Sequence, residues 1–334
     1  MHFSRGLRKG GDAVLTALGA PHAGGKKRGG GFGYIWRNRY LYLLLIPGVI
    51  YYSIFNYIPM YGIITAFQNY RLGDTFGLSE WVGLEHFRVL FNDPLLPRLL
   101  RNNLVMGLLR IFIGFPMPII FALLLNELRN VYFKKATQTI SYLPYFVSWA
   151  VAATLMFDFF HPENGAVNEL LMSLRIINSP IHFFGHSRYF WGMMIGTHIW
   201  KEIGFSAIIF IAAITSIDSE LYEAASIDGA GRFTKMWYIT IAGIKPTIVI
   251  LFILAIGSLM ATSFDQVMML TQMMDNSLLR ETADILQTYT FRIGIGNRRF
   301  SFGAAVGLFT TVINFTLLVL ANWVARRKSE TSLF

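Results

Sequence analysis

Polar side chains are scarce in this chain, so where they fall carries information. Charged residues make up 14% of the sequence and hydrophobic residues 54%. Within its most apolar stretches stand His198, Trp200, Lys201, Glu202 and Phe205, then Ser263 and Gln266, and a lone Arg110. A charge at mid-membrane costs about 2.5–3.5 kcal/mol on insertion scales, so such residues face a wet cavity or a partner. On a helix Lys201 and Glu202 point about 100° apart and do not meet squarely. Ser263 and Gln266 are three apart and share a face. Asp265 falls on another face and reads as structural, and Arg110 reads as a snorkelling or paired cation. A cation, a carboxylate, an amide and aromatic rings suit recognition of a polar or anionic solute. They suit an intramembrane ion pair or a subunit contact equally well. They do not suit catalysis: the sequence has no H-E-x-x-H and no G-x-S-x-G, and its seven His are scattered. With no Cys there is no thiolate metal site and no disulfide, and no metal site is expected.

A second polar stretch runs from Glu223 through Ala224, Ala225, Ser226, Ile227 and Asp228 to Gly229, Ala230 and Gly231, and on towards Pro246. Asp218 is a good N-cap for a helix from Ser219 to about Ile227. Leu221, Ala224 and Ala225 would share one small apolar face. Gly229 and Gly231 bracket a break. A second helix is predicted from roughly Arg232 to Ile241, with Phe233, Met236 and Trp237 on one side. Pro246 would then open the next apolar segment. The whole reads as a helix–turn–helix outside the bilayer whose Ala-rich face fits a groove on another protein. An ordinary interfacial loop would not explain two Ala beside an exposed Glu and a Gly turn.

The elements that must position these residues are predicted from hydropathy. Mean hydropathy is +0.47, and a soluble domain normally carries about 25% charged residues. Six apolar segments at about 41–66, 103–126, 139–160, 190–214, 246–270 and 302–325 each reach the roughly 20 residues that cross hydrocarbon as a helix. Pro47 and Pro59 should kink or shorten the first. The expected organisation is a basic, Gly-rich tail over 1–39, a six-helix membrane domain over 40–328 with a polar loop at 215–245, and a short C-terminus at 329–334. The tail has no signal-peptide pattern and cannot bury a core. The Lys and Arg outside the spans concentrate in the tail, the 127–138 and 215–245 loops and the C-terminus. By the positive-inside rule that side is cytoplasmic, with both termini and the Glu223 stretch on it. The net charge of +10 is therefore mostly topological, and no nucleic-acid partner is expected. The long opposite loops, with an interfacial helix near Trp81–Phe87, suggest an external docking surface. Gly303 and Gly307 form a small-xxx-small packing pair.

Around Glu223 the chain resembles a known family. Glu223-Ala224-Ala225, Gly229 four residues on, and Ile239-Thr240-Ile241 beyond are similar to the "EAA" loop in permease subunits of binding-protein-dependent ABC importers. Leu221–Ala230, Ser263–Val267, Tyr289–Arg292, Ala305–Phe309 and the C-terminal Ser332-Leu333-Phe334 are similar to the carbohydrate branch that takes oligo- and polysaccharides, with an alginate-type importer a fitting member. The likeness covers about 40–334. It departs at Ala242, where relatives carry Pro, which suggests a smoother entry into the fifth helix.

The resemblance implies an all-α membrane protein with the six-helix type I ABC importer permease fold in a bacterial cytoplasmic membrane. It implies a second permease subunit with its own EAA loop, two ATPase subunits, an extracytoplasmic solute-binding protein and an oligosaccharide substrate. Glu223, Ala224, Ala225, Asp228 and Gly229 would enter a cleft of the ATPase, with Glu223 paired to a basic residue there. His198, Lys201, Glu202 and Phe205 match positions that line the sugar site in the maltose importer's larger permease. Charges stand here where that protein has smaller or neutral groups, which suits an acidic sugar met by Lys201, with Trp200 or Phe205 stacked on a ring. Ser263 and Gln266 fall near the same path. No G-x-x-x-x-G-K-[ST] occurs, so ATP and Mg²⁺ would be used by the partner ATPase and no cofactor is expected on this chain. The same machinery for a peptide or other non-sugar solute is the alternative. A membrane enzyme lacks a catalytic constellation, and a stand-alone channel or secondary transporter would not need the Glu223–Gly229 loop.

Overall fold

The computed structural model describes residues 36, 38–74, 78–261, 263–328 and 332–333. Most of the basic tail, Thr262 and, at the C-terminus, 329–331 and Phe334 lie outside the described residues. The described residues are helical, joined by turns and one isolated bridge between Gln68 and Trp81. Two compact units divide at Tyr61 and Gly62. In the first, α1 (Arg39–Tyr52) carries Pro47 and passes into a π-turn, Ser53–Tyr57, just before Pro59. A proline removes an N–H, and the widened turn accommodates the carbonyl left without a donor. The apolar run Arg39–Phe67 has the length and hydropathy of a membrane span.

In the second unit α2 (Glu85–Phe91) precedes a long composite helix. Its halves, α3 (Leu96–Leu109) and α4 (Pro116–Glu127), are joined by the π-turn Arg110–Gly114. There the Phe115 N–H bonds the Arg110 carbonyl at 2.7 Å, a five-residue reach that bulges the helix at Arg110 ahead of Pro116. The joined helix spans 32 residues. Four more long elements follow: α5 (Val131–Tyr142), α6 (Trp149–Phe159), α8 (Ser187–Thr215) and α15 (Phe300–Lys328). α7 (Ala166–Ser173) lies between α6 and α8.

The third span is not the single helix expected over 139–160. Pro144 sits in a 3₁₀ turn, Leu143–Phe146. Ser148 then caps a new helix by accepting the Val151 N–H at 3.3 Å, and the two helices meet at 108°. The fifth span, expected over 246–270, also differs at both ends. α9 (Ser219–Ile227) and α10 (Arg232–Lys235) form the polar hairpin. From α10 the helix continues through a π-turn, Met236–Ile241, into α11 (Ala242–Gly257). Pro246 therefore lies inside a 26-residue helix and does not open it. With Ala in place of a proline at 242, no ring stops the chain there. The span instead breaks at Ser258, and α12 (Phe264–Leu270) is a separate short helix. Backbone freed at the break is held by side chains: Asn103 Nδ2 donates to the Met260 carbonyl at 2.9 Å, and the Met260 N–H donates to Asn314 Oδ1 at 2.9 Å. An interrupted helix survives in an apolar setting only with such replacements.

Between α12 and α15, α13 (Arg280–Ala283) and α14 (Leu286–Thr290) clamp onto α3 through Asp284 and two Asn. Asp284 is fully buried and takes a two-point contact from Arg292, at 3.1 and 2.7 Å. Asn102 donates to the Asp284 carbonyl and Asn103 accepts the Leu286 N–H, both at 2.8 Å. At Gly303 the α15 backbone meets Gly294 so closely that an added Cβ would lie 3.0 Å from its Cα, whereas the corresponding space at Gly307 is open.

Candidate functional site

Two separate regions hold the residues singled out from the sequence. The first is the hairpin. Asp218 Oδ1 accepts the Glu220 N–H at 2.9 Å and starts α9. The helix stops at Gly229, whose φ of +76° is left-handed. There the Ala230 N–H reaches the Ala225 carbonyl at 2.8 Å and the Gly229 N–H reaches Ser226 at 3.1 Å, the paired bonds of a Schellman cap. Glu223, Ala224, Asp228 and Gly229 are exposed and Ala225 is half-buried. Around them Leu221, Ile227, Phe233, Trp237 and Tyr238 also face outward. The hairpin is tied inward at two points. Tyr222 and Thr240 hydroxyls meet at 2.9 Å across the π-turn. Arg232 pairs with Glu127, the last residue of α4, at 3.7 Å. The surface thus offers carboxylates at Glu223 and Asp228 and a small-residue helix face amid apolar groups, on a base joined directly to α11.

The second region is a cavity of about 500 Å³. It lies where three of the helix interruptions converge. Arg110, Ile111 and Gly114 come from the bulge between α3 and α4, Tyr145 from the break between α5 and α6, and Ser258 and Leu259 from the end of α11. Along α8 its lining runs from His198 to Phe210, between one apolar cluster containing Met193 and Met194 and another containing Phe210 and Ile214. Close backbone crossings fix these walls. A Cβ at Gly107 would stand 2.4 Å from the Leu259 carbonyl oxygen, and one at Gly204 would stand 2.1 Å from that of Ser141. The Tyr145 and Phe205 rings, both in the lining, stack at 3.7 Å with 4° between their planes. Arg110, His198, Glu202, Ser206 and Ser258 supply its polar groups.

The structure therefore brings together part of the expected set. His198, Glu202 and Phe205 line the cavity. Lys201 does not: it is 5% exposed, and its Nζ donates to the Tyr145 carbonyl at 2.7 Å beneath the Tyr145 and Trp149 rings. In this structure its charge is met by the carbonyl exposed at the Pro144 break rather than by the cavity. Trp200 is partly exposed and outside the lining. Gln266 is buried, donating to the Met194 carbonyl at 2.7 Å and Thr197 Oγ1 at 2.9 Å, behind Arg110 and His198. Ser263 starts α12 and accepts from Arg110 Nη2 at 2.8 Å. Asp265 is exposed. Arg110, read from sequence as a snorkelling or paired cation, instead addresses the cavity. Its signal was a lone Arg six residues before Pro116, inside an apolar run.

An all-helical bundle with broken spans around a cavity, and an exposed hairpin continuous with one of them, defines a membrane transport permease of the type I ABC importer fold. The chain belongs to the family described as binding-protein-dependent transport system inner membrane component, which matches residues 95–330. It is 44% identical over 298 residues to the protein LplB of Bacillus subtilis (strain 168), covering 89% of this chain and 92% of the relative. It is 42% identical to the polygalacturonan/rhamnogalacturonan transport system permease protein YteP of the same organism, covering 89% and 91%. In structure it matches a chain of a bacterial alginate ABC transporter, crystallised in complex with an alginate pentasaccharide-bound periplasmic protein. The TM-score is 0.80 at 35% identity, covering 90% of this chain and 99% of that one.

Proposed function

We propose that this permease forms half of the membrane path for an acidic oligo- or polysaccharide. A solute-binding protein outside the bacterial cytoplasmic membrane delivers the sugar, and ATP hydrolysis drives its import. The observation that carries this reading is the cavity, which combines a flat aromatic pair with a guanidinium, an imidazole and a carboxylate at the convergence of three helix interruptions. Apolar ring faces and equatorial hydroxyls of a sugar need that mixture. The names of the polygalacturonan relative and the alginate transporter favour sugar over the peptide alternative.

A second permease subunit completes the path. Two ATPase subunits, which use ATP and Mg²⁺, grip this chain at Glu223, Ala224, Ala225, Asp228 and Gly229 and grip the matching loop of the partner permease. An exposed charge pair at Glu223 contributes only about 0–1 kcal/mol, so its value lies in placing the helix. Movement of α9 passes through the Tyr222–Thr240 contact into the helix Arg232–Gly257, whose far end forms part of the cavity wall. The Lys and Arg distribution supports cytoplasmic termini and a cytoplasmic hairpin.

The test is a proteoliposome preparation of the assembled transporter with its binding protein. ATP hydrolysis should rise with acidic oligosaccharides and stay near basal with neutral oligosaccharides and peptides. Stimulation by a peptide, with none by any oligosaccharide, would overturn the reading.

A further inference from the structure

We infer that Arg110 reads a carboxylate on the translocated sugar, with Ser263 and His198 positioning its guanidinium. The inference rests on the acidic-sugar reading above and assigns its charge recognition to a residue on a different helix from the one expected.

Arg110 and Lys201 are both cations set among apolar residues far from the ends of their helices, and the structure separates them. Lys201 is sealed between rings and bonded to the Tyr145 carbonyl. Arg110 is half-buried in the cavity wall. Its Nη2 donates to Ser263 Oγ at 2.8 Å and lies 3.4 Å from His198 Nδ1. Among the described residues its Nε and Nη1 have no hydrogen-bond partner, yet neither is sealed away from open space. Among the described residues ion pairs form at Arg98, Arg232 and Arg292, and none forms at Arg110. A guanidinium in an apolar wall with donors to spare calls for a planar anion, and a carboxylate matches its fork. Glu202 lines the same cavity without closing an ion pair on it. Ser263 caps no backbone N–H with its side chain, so its hydroxyl is available to hold Nη2. The π-turn at Arg110–Gly114 gives the local reason that this side chain leaves the helix surface towards the cavity. The Tyr145–Phe205 pair in the same lining supplies a face for the sugar ring. The ligand class is therefore a uronate, a pyranose bearing one carboxylate.

The chain contains no Cys, which allows chemical rescue to separate charge from shape. Assembled transporter carrying Arg110→Cys is assayed for ATP hydrolysis stimulated by oligogalacturonate and by oligoalginate. It is then treated with a cationic ethylammonium or an anionic ethylsulfonate methanethiosulfonate, and wild type treated identically is the control. The half-saturating sugar concentration should rise about tenfold or more in R110C, the loss expected for one charge-assisted contact. The cationic adduct should recover most of it and the sulfonate none. Should R110C fail to assemble, Ser263→Cys keeps Arg110 in place. There the sulfonate should abolish stimulation by occupying Nη2, and an uncharged methyl adduct should not. Unchanged half-saturation in R110C, or equal rescue by both adducts, would overturn the assignment while leaving the acidic-sugar reading intact; so would equal effects of both adducts at position 263. A wild-type transporter stimulated by neither acidic polymer overturns both.

Discussion

The hairpin and the cavity are built in opposite ways. The hairpin is contiguous: one run from Asp218 to Ile241 supplies its cap, both helices, its turn and its internal contacts. It is exposed, so its residues meet water or a partner and little inside the molecule depends on them. The cavity is assembled from positions far apart in sequence. Arg110 meets Ser263 across 153 residues, and Gly204 abuts Ser141. It exists because three spans are interrupted, and at Tyr145 and Met260 a distant side chain replaces lost backbone bonds. Changes at the crossings and buried bonds that build the cavity walls should therefore be felt as lost folding, and changes in the hairpin as lost work.

The sharpest challenge to that contrast is Gly204→Ala. The added methyl would sit 2.1 Å from the Ser141 carbonyl oxygen, and overpacking of this kind costs about 1–3 kcal/mol or more. Recovery of assembled transporter and its melting temperature should both fall. Next is Lys201→Met, which fills similar space but strips the donor from the Tyr145 carbonyl. Leaving a buried acceptor unsatisfied costs about 1–3 kcal/mol. The melting temperature should drop, whereas the ratio of acidic-sugar to neutral-sugar stimulation should hold. A changed ratio would restore Lys201 as a substrate group.

Gly229→Ala should cost less stability, about 1–2 kcal/mol for a left-handed residue with a Cβ, since nothing lies within 4 Å of the added atom. Its effect should appear as transport lost per ATP hydrolysed. The smallest stability change is expected for Arg232→Ala, where both partners are substantially exposed and such pairs contribute about 0–1 kcal/mol. A hairpin substitution that lowered the melting temperature more than Gly204→Ala would break the contrast.

The same difference explains what could be read without coordinates. Asp218, Ser219–Ile227 and the stop at Gly229 follow from capping and glycine chemistry within a dozen residues, and the structure has those boundaries. The all-helical membrane class follows from hydropathy averaged over whole segments, which is why it survives local errors. That average is blind to a break inside an apolar stretch. Pro144 sat in view, yet the 108° bend also needs Ser148 to restart the helix and Lys201 to hold the Tyr145 carbonyl, a partner 56 residues away. Pro246 misled in the other direction: Ala242 and the π-turn ahead of it let the helix run through. Lys201 and Arg110 look alike in sequence as charges in apolar spans. Only the positions of Tyr145 and Ser263 reveal which one is spent and which one faces open space.

The division of labour is tested most directly by Gly229→Pro, because proline fixes φ near −65° where the hairpin needs +76°. Uptake of labelled acidic oligosaccharide and ATP hydrolysis would be measured together in the same proteoliposomes. Uptake should fall to background while the assembled complex keeps a melting temperature within a few degrees of wild type. ATP-dependent uptake at the wild-type rate would contradict the role assigned to this turn.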